Sequence, residues 1–203
     1  MNKKELALLV SLIITTVISV LSGQIYEAET IRANTLRLHI IANSDSKADQ
    51  QQKLYIKEKL LVMDDILPTE AQNIDQAVSV VKGNLPVIEA RINTLLQNSS
   101  AGYKASCSIE DYYFDTTAYE NFVLPQGKYT ALTVRLGKAE GKNWWCVMYP
   151  ALCSRSCGKT ELENSSGFIK AQKPSVRFKV VEIYENLKNK FETNTTEKYG
   201  HIG

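Results

Sequence analysis

Four cysteines (Cys107, Cys146, Cys153 and Cys157) and two histidines (His39 and His201) are the side chains of this 203-residue chain best suited to nucleophilic or metal chemistry. The best catalytic arrangement they offer is a cysteine nucleophile, Cys146 or Cys153, with His39 as base and Asn43 or Asp45 as orienter. That would make the chain an exported cysteine-dependent hydrolase. Nothing in the spacing requires it: His39 lies near the end of a strand-like run, and Asn43 and Asp45 stand in a cluster of turn and cap formers that ordinarily bond the backbone. Zinc is a weaker alternative, because Cys153 and Cys157 are close in the chain but no paired C-x-x-C exists and histidine is scarce. There is no glycine-rich phosphate loop, G-x-S-x-G elbow or H-E-x-x-H. The expectation is a non-enzyme without metal or cofactor.

The elements that must position these residues come after an export signal. Lys3 and Lys4 precede a stretch from Leu6 to Tyr26 that carries no charge, with its apolar heart at Leu6 to Leu21. This is the layout of a secretory signal, somewhat long for one and slightly short for a comfortable membrane span. Val20 and Ser22 suit a cut between Ser22 and Gly23, so residues 1–23 are read as a signal peptide, with an uncleaved membrane anchor as the alternative. Both place the bulk of the chain on the outer face. Without Lys3, Lys4 and Glu5, the 24 basic and 22 acidic residues become 22 and 21, with no long run of either sign. No nucleic-acid or anionic-membrane partner is indicated by the charge balance.

The remainder of the chain is long enough for one domain, taken as residues 30–192, with 193–203 a polar tail. The run Thr35–Ile41 reads as a strand. It stops at Ala42-Asn43-Ser44-Asp45-Ser46, where Ser46 with Asp49 forms an imperfect capping box for a helix carrying Ile56, Leu60, Met63 and Leu67 and closed by Pro68. A second apolar stripe from Ile74 to Leu95 crosses Gly83 and Pro86, which predicts two helices or one kinked at Gly83-Asn84.

Strand periodicity then takes over in Tyr103–Glu110, Tyr129–Leu136 and Trp144–Tyr149. The short link between the last two predicts an antiparallel hairpin. A last helix spans about Ser175 to Phe191. The fold class is α+β: a small, mostly antiparallel sheet with helices packed on one face, preceded by the signal or anchor helix. In an oxidising compartment the four cysteines permit three pairings; Cys146 and Cys153, flanking Met148-Tyr149-Pro150, are the favoured pair, with unpaired buried thiols the other reading.

Three segments in order carry a family likeness. They are Leu36-Arg37-Leu38-His39-Ile40-Ile41-Ala42-Asn43-Ser44-Asp45-Ser46, then Leu124-Pro125-Gln126-Gly127-Lys128-Tyr129-Thr130-Ala131-Leu132, then Gly141-Lys142-Asn143-Trp144-Trp145-Cys146-Val147-Met148-Tyr149-Pro150-Ala151-Leu152-Cys153. Together they closely resemble the stage II sporulation protein R family of endospore-forming bacteria. The resemblance implies a protein made in the forespore and exported into the space between the forespore and mother-cell membranes. There it would activate a membrane-embedded aspartic protease of the mother cell, which removes the pro-sequence of the early mother-cell sigma factor. The partner implied is therefore that protease, with membrane contact through the N-terminal segment if it is uncleaved. Cys107 and Cys157 look like additions to the family's pattern.

Two patches are candidates for the protease contact. Trp144 and Trp145, adjacent on a strand, must point to opposite faces, and an outward Trp near Asn143, Tyr149 and Pro150 would be an aromatic anchor. His39, Asn43 and Asp45 at a strand end form the second, with structural capping as the competing explanation.

Overall fold

The computed structural model describes residues 2–63, 65–119, 123–150, 181–188 and 190. Its chain divides into two compact units: one holds the described residues of 1–32, 114–127 and 181–190, the other those of 33–113 and 128–150.

The larger unit is built on β1 (Leu36–Ile41). Alternation sorts its side chains: Leu36, Leu38 and Ile40 enter the apolar core, while Arg37 and His39 point to the opposite face. Two helices supply the other half of that core. The first helix of the chain, α1 (Lys3–Ala33), lies in the smaller unit; α2 (Lys47–Leu60) contributes Ile56 and Leu60, and α3 (Ile74–Asn98) contributes Ala77, Val81, Ile88, Ile92 and Leu96. The remaining strands are β2 (Ala105–Phe114), β5 (Gly127–Leu136) and β6 (Asn143–Tyr149), in the order β2-β5-β1-β6. Leu132, Val134, Leu136, Cys146 and Met148 join the core from β5 and β6. The α+β class is as expected.

Three local expectations are corrected. β5 and β6 do not form a hairpin, because β1 lies between them, parallel to β5 and antiparallel to β6. The 137–142 connector must therefore span two strand spacings, about 10 Å, and it does so across the end of β1. α2 ends at Leu60 and not at Pro68. Ile66 and Leu67 are buried, yet their N–H groups reach Met63 O in a turn, so apolar spacing there reflected burial without helix. α3 is one helix through both Gly83 and Pro86, the single-helix alternative of the two expected. Proline removes a donor aimed at the carbonyl of residue 82, and Lys82, Gly83 and Pro86 are all exposed, so water can serve that carbonyl. β2 also runs on to Phe114, four residues past the expected strand.

The smaller unit holds α1 and an antiparallel pair, β3 (Thr117–Ala118) and β4 (Val123–Leu124). Its last element is helical over 181–188, within the span expected for the C-terminal helix; 175–180 lie outside the described residues. Arg32, at the end of α1, is buried and joins this unit together. It donates through Nη1 to Gln126 O (2.6 Å) and through Nη2 to Glu185 Oε1 (3.0 Å). α1 has an uncharged window of mean hydropathy 2.4 that is wholly unburied. It is long and apolar enough to cross a membrane, a property that a signal sequence shares.

Candidate functional site

The C-terminal end of β1 is where the second candidate patch lies, and its polar groups turn inward on the fold. Ser46 caps α2 by accepting from Asp49 N–H (3.1 Å). The Asp49 carboxylate does not return the bond as a capping box would. It accepts from Asn43 Nδ2 (2.9 Å), Ser44 Oγ (2.5 Å) and Tyr103 OH (2.8 Å). These donors, Ser44 first, hold the carboxyl below the usual range, while burial and then Asp49 itself push the Tyr103 hydroxyl up.

The same loop holds the connector that crosses β1. Asn43 Oδ1 accepts from Lys138 N–H (2.9 Å), Asn43 O from Glu140 N–H (3.2 Å), Ala42 O from Gly141 N–H (2.9 Å) and Asp45 Oδ1 from Lys142 N–H (2.7 Å). Lys53, buried on α2, adds bonds to Lys142 O and Gln50 Oε1, both 2.8 Å; desolvation lowers its pKa. The approach is so close that two glycines are required. A Cβ on Gly137, whose φ is +57°, would stand 2.2 Å from Asn43 Oδ1, and one on Gly141 would stand 2.3 Å from Ser44 O. Asn43 and Asp45 are thus clamp residues for a strand crossover.

His39 belongs to a different environment, the sheet face away from α2 and α3. It is fully buried, with its ring centroid 4.2 Å from Tyr112 and 6.4 Å from Trp145, and Nε2 3.0 Å from Asn143 Oδ1. Since that oxygen accepts, Nε2 carries the proton in this arrangement. Burial is the main reason its pKa is lowered. Arg37 is equally buried on this face, its guanidinium 5.2 Å from the Tyr129 ring centre, and Arg135 pairs with Glu110.

The two tryptophans do separate. Trp144 packs against the core with Lys57 Nζ 5.4 Å from its ring centre, and Trp145 stands opposite His39. Tyr149 packs on the core side with Trp144, so the structure brings Asn143 and Trp145 to His39 but not Tyr149. Pro150 comes next as a half-buried residue after a cis peptide bond.

Cys146 is opposite Leu38 on the core face, so β1 separates its side chain from that of His39, and the two are not brought together for catalysis. Cys153 and Cys157 lie outside the described residues, and with them the expected Cys146–Cys153 pairing. Cys107 is a free thiol pushed up to about 12, by burial first and by Glu89 second. Among the described residues no group of three His, Cys, Asp or Glu side chains is placed to hold a metal ion.

Sequence reasoning missed Asp49 as a hub, along with Tyr103, Lys53 and Tyr112. For Asp49 a signal existed: short polar donors at 43 and 44 precede a carboxylate at N3 of a helix, within reach of a single turn. For Tyr103 and Tyr112 none did, because their partners are 54 and 73 residues away in the chain.

The family model described as stage II sporulation protein R matches residues 32–159. The chain is also 36% identical, over 118 residues, to the stage II sporulation protein R of Bacillus subtilis (strain 168). That alignment covers 58% of this chain and 53% of the relative, so the chain spans about half the length of the curated relative it matches. No solved structure matches it.

Proposed function

Because the chain belongs to the stage II sporulation protein R family, with a role in sporulation, we propose that it is a secreted intercellular signal of endospore formation. In this reading the exported part acts in the space between the forespore and mother-cell membranes and activates a membrane-embedded aspartic protease of the mother cell. Processing of the early mother-cell sigma-factor precursor is the result. The observation that carries the proposal is the family match across β1 to β6, which spans the clamp and the His39 face, joined to an N-terminal helix compatible with export or anchoring.

The described residues agree with a binding role in one respect: His39 and Cys146 are on opposite faces of the sheet and do not form a nucleophile and base. A Cys146–Cys153 bridge, formed after export, would fix the end of β6 by constraining the unfolded chain.

The test is processing of the sigma-factor precursor in cells carrying the matching protease, with and without this protein supplied on the outer side of the membrane. Cleavage that depends on the exported protein is the expected result. Cleavage indifferent to it sinks the proposal.

A further inference from the structure

The helix over 181–188 lies beyond the family match and has two contrasting sides. One is bonded into the smaller unit: Val181 and Glu185 are buried, Glu185 accepts from Arg32, and Glu182 accepts from Thr116 Oγ1 (2.9 Å) and, through its backbone oxygen, from Gln126 Nε2 (2.9 Å). The other side is apolar and open. Ile183 is 60% exposed, Leu187 52% and Tyr184 39%. At about 100° per residue these three fall within one arc roughly 100° wide, and Lys190 and Lys188 fall just beyond its two edges. An apolar stripe bordered by lysines is the pattern of a helix lying in a lipid interface, where the apolar face sinks in and the ammonium groups reach the headgroups.

The place of this helix in the unit supplies the occupant. It is tied by Arg32 to the end of α1, and α1 is the helix able to cross a membrane. Counting from Leu6, 20 uncharged residues end at Ile25, a length of about 30 Å that matches the hydrocarbon core. Tyr26, 75% exposed, comes next at headgroup depth, where tyrosine is favoured. Arg32 comes seven residues after Ile25, about 10 Å further on. A helix tethered there, itself about 10 Å across with its side chains, reaches the headgroup layer of the bilayer from which α1 emerges.

We infer that residues 181–188 form an interfacial helix that lays Ile183, Tyr184 and Leu187 into the surface of the membrane carrying α1. The smaller unit is then held flat against lipid. The inference does not depend on the signalling reading; it rests on α1 staying in place as the uncleaved anchor, the alternative to a cleaved signal peptide.

The test uses the full chain reconstituted in vesicles of phosphatidylcholine and phosphatidylglycerol. Tyr184→Trp adds a reporter on the apolar arc, and subtracting the spectrum of the unsubstituted chain removes Trp144 and Trp145. The reporter should emit to the blue of an aqueous tryptophan and be quenched at least twofold by lipids brominated near the headgroup. Ile183→Glu with Leu187→Glu in that background should abolish the quenching. If the double substitution fails to fold, the single one still decides. Emission at the aqueous position, quenched by iodide and not by brominated lipid, overturns the inference. So does shielding that arises only when the protease is added, which would give the stripe to a protein partner.

Discussion

The two places where β1 meets polar chemistry are built on opposite plans. At its C-terminal end, Asn43, Ser44, Asp45 and Asp49 are half-buried or exposed, and their hydrogen bonds run to backbone groups of the 138–142 connector, to neighbours in the same loop and to Tyr103. In its middle, His39 and Arg37 are wholly buried against rings. The first plan fixes a crossover by many small bonds that tolerate water. The second fills space with groups that are costly to bury, and so depends on tight packing. Neither plan leaves Asn43 or His39 with much surface to offer a partner. Among the candidates, Asp45 and Asn143 are exposed, and Trp144 and Trp145 are half-buried on different faces of β6.

The sharpest way to break the comparison is at a glycine of the crossover. Gly137→Ala forces a left-handed residue and a Cβ into Asn43, and should cost about 3 kcal/mol from the backbone conformation and the overlap together. Urea denaturation of the protein would read this directly. A loss under about 1 kcal/mol would mean that the connector is not held where the clamp requires.

Asp49→Ala comes next, at about 2 kcal/mol, because it strands the donors of Asn43, Ser44 and Tyr103 at once. Asp45→Ala removes one acceptor, shared by Lys142 N–H and, at longer range, Gln50 Nε2, and should cost about 1 kcal/mol. Its use is in separating roles. If Asp45 serves only the crossover, signalling per folded molecule is unchanged; a loss of signalling with stability intact would move Asp45 to the partner surface.

How much of this was legible in the sequence depends on how local each cause is. Leu36, Leu38 and Ile40 alternate with Arg37 and His39, so β1 and its core face can be read from period two alone. The Ser46 cap and the Ile56–Leu60 face of α2 are equally local. The position of β5 was not, since a short link between two strand-like runs reads as a hairpin unless it is known that β1 inserts between them. Pro68 was a plausible stop for α2, but the helix yields seven residues earlier because Ile66 and Leu67 can be buried from a turn. Pro86 failed as a breaker because the Lys82 carbonyl it leaves without a donor lies on an exposed stretch that water can reach. In the site, Asn43 and Asp45 were recognisable as turn formers, whereas their partners at 138–142 are about 95 residues away and no spacing rule connects them.

The smallest expected effect separates the two plans by pH. His39 is neutral in the fold because burial lowers its pKa below 6.5. Arg135 and Arg37 push the same way, and the bond to Asn143 and the charge of Glu110 oppose them. The unfolded chain, with an ordinary histidine, then binds the extra proton first as pH falls. The stability due to a neutral His39 is therefore fully present above about pH 6.5 and is lost progressively below it, at no more than about 1.4 kcal/mol per pH unit. Asp49 behaves differently: its lowered pKa gives stability that is kept above its unfolded value near 4 and lost only as pH falls further. Urea midpoints between about pH 8 and pH 3 should show two separate declines. His39→Gln should flatten the upper one alone and Asp49→Asn the lower one alone. If the upper decline survives in His39→Gln, its source is another group, and the buried face is not the acid-sensitive half of the molecule.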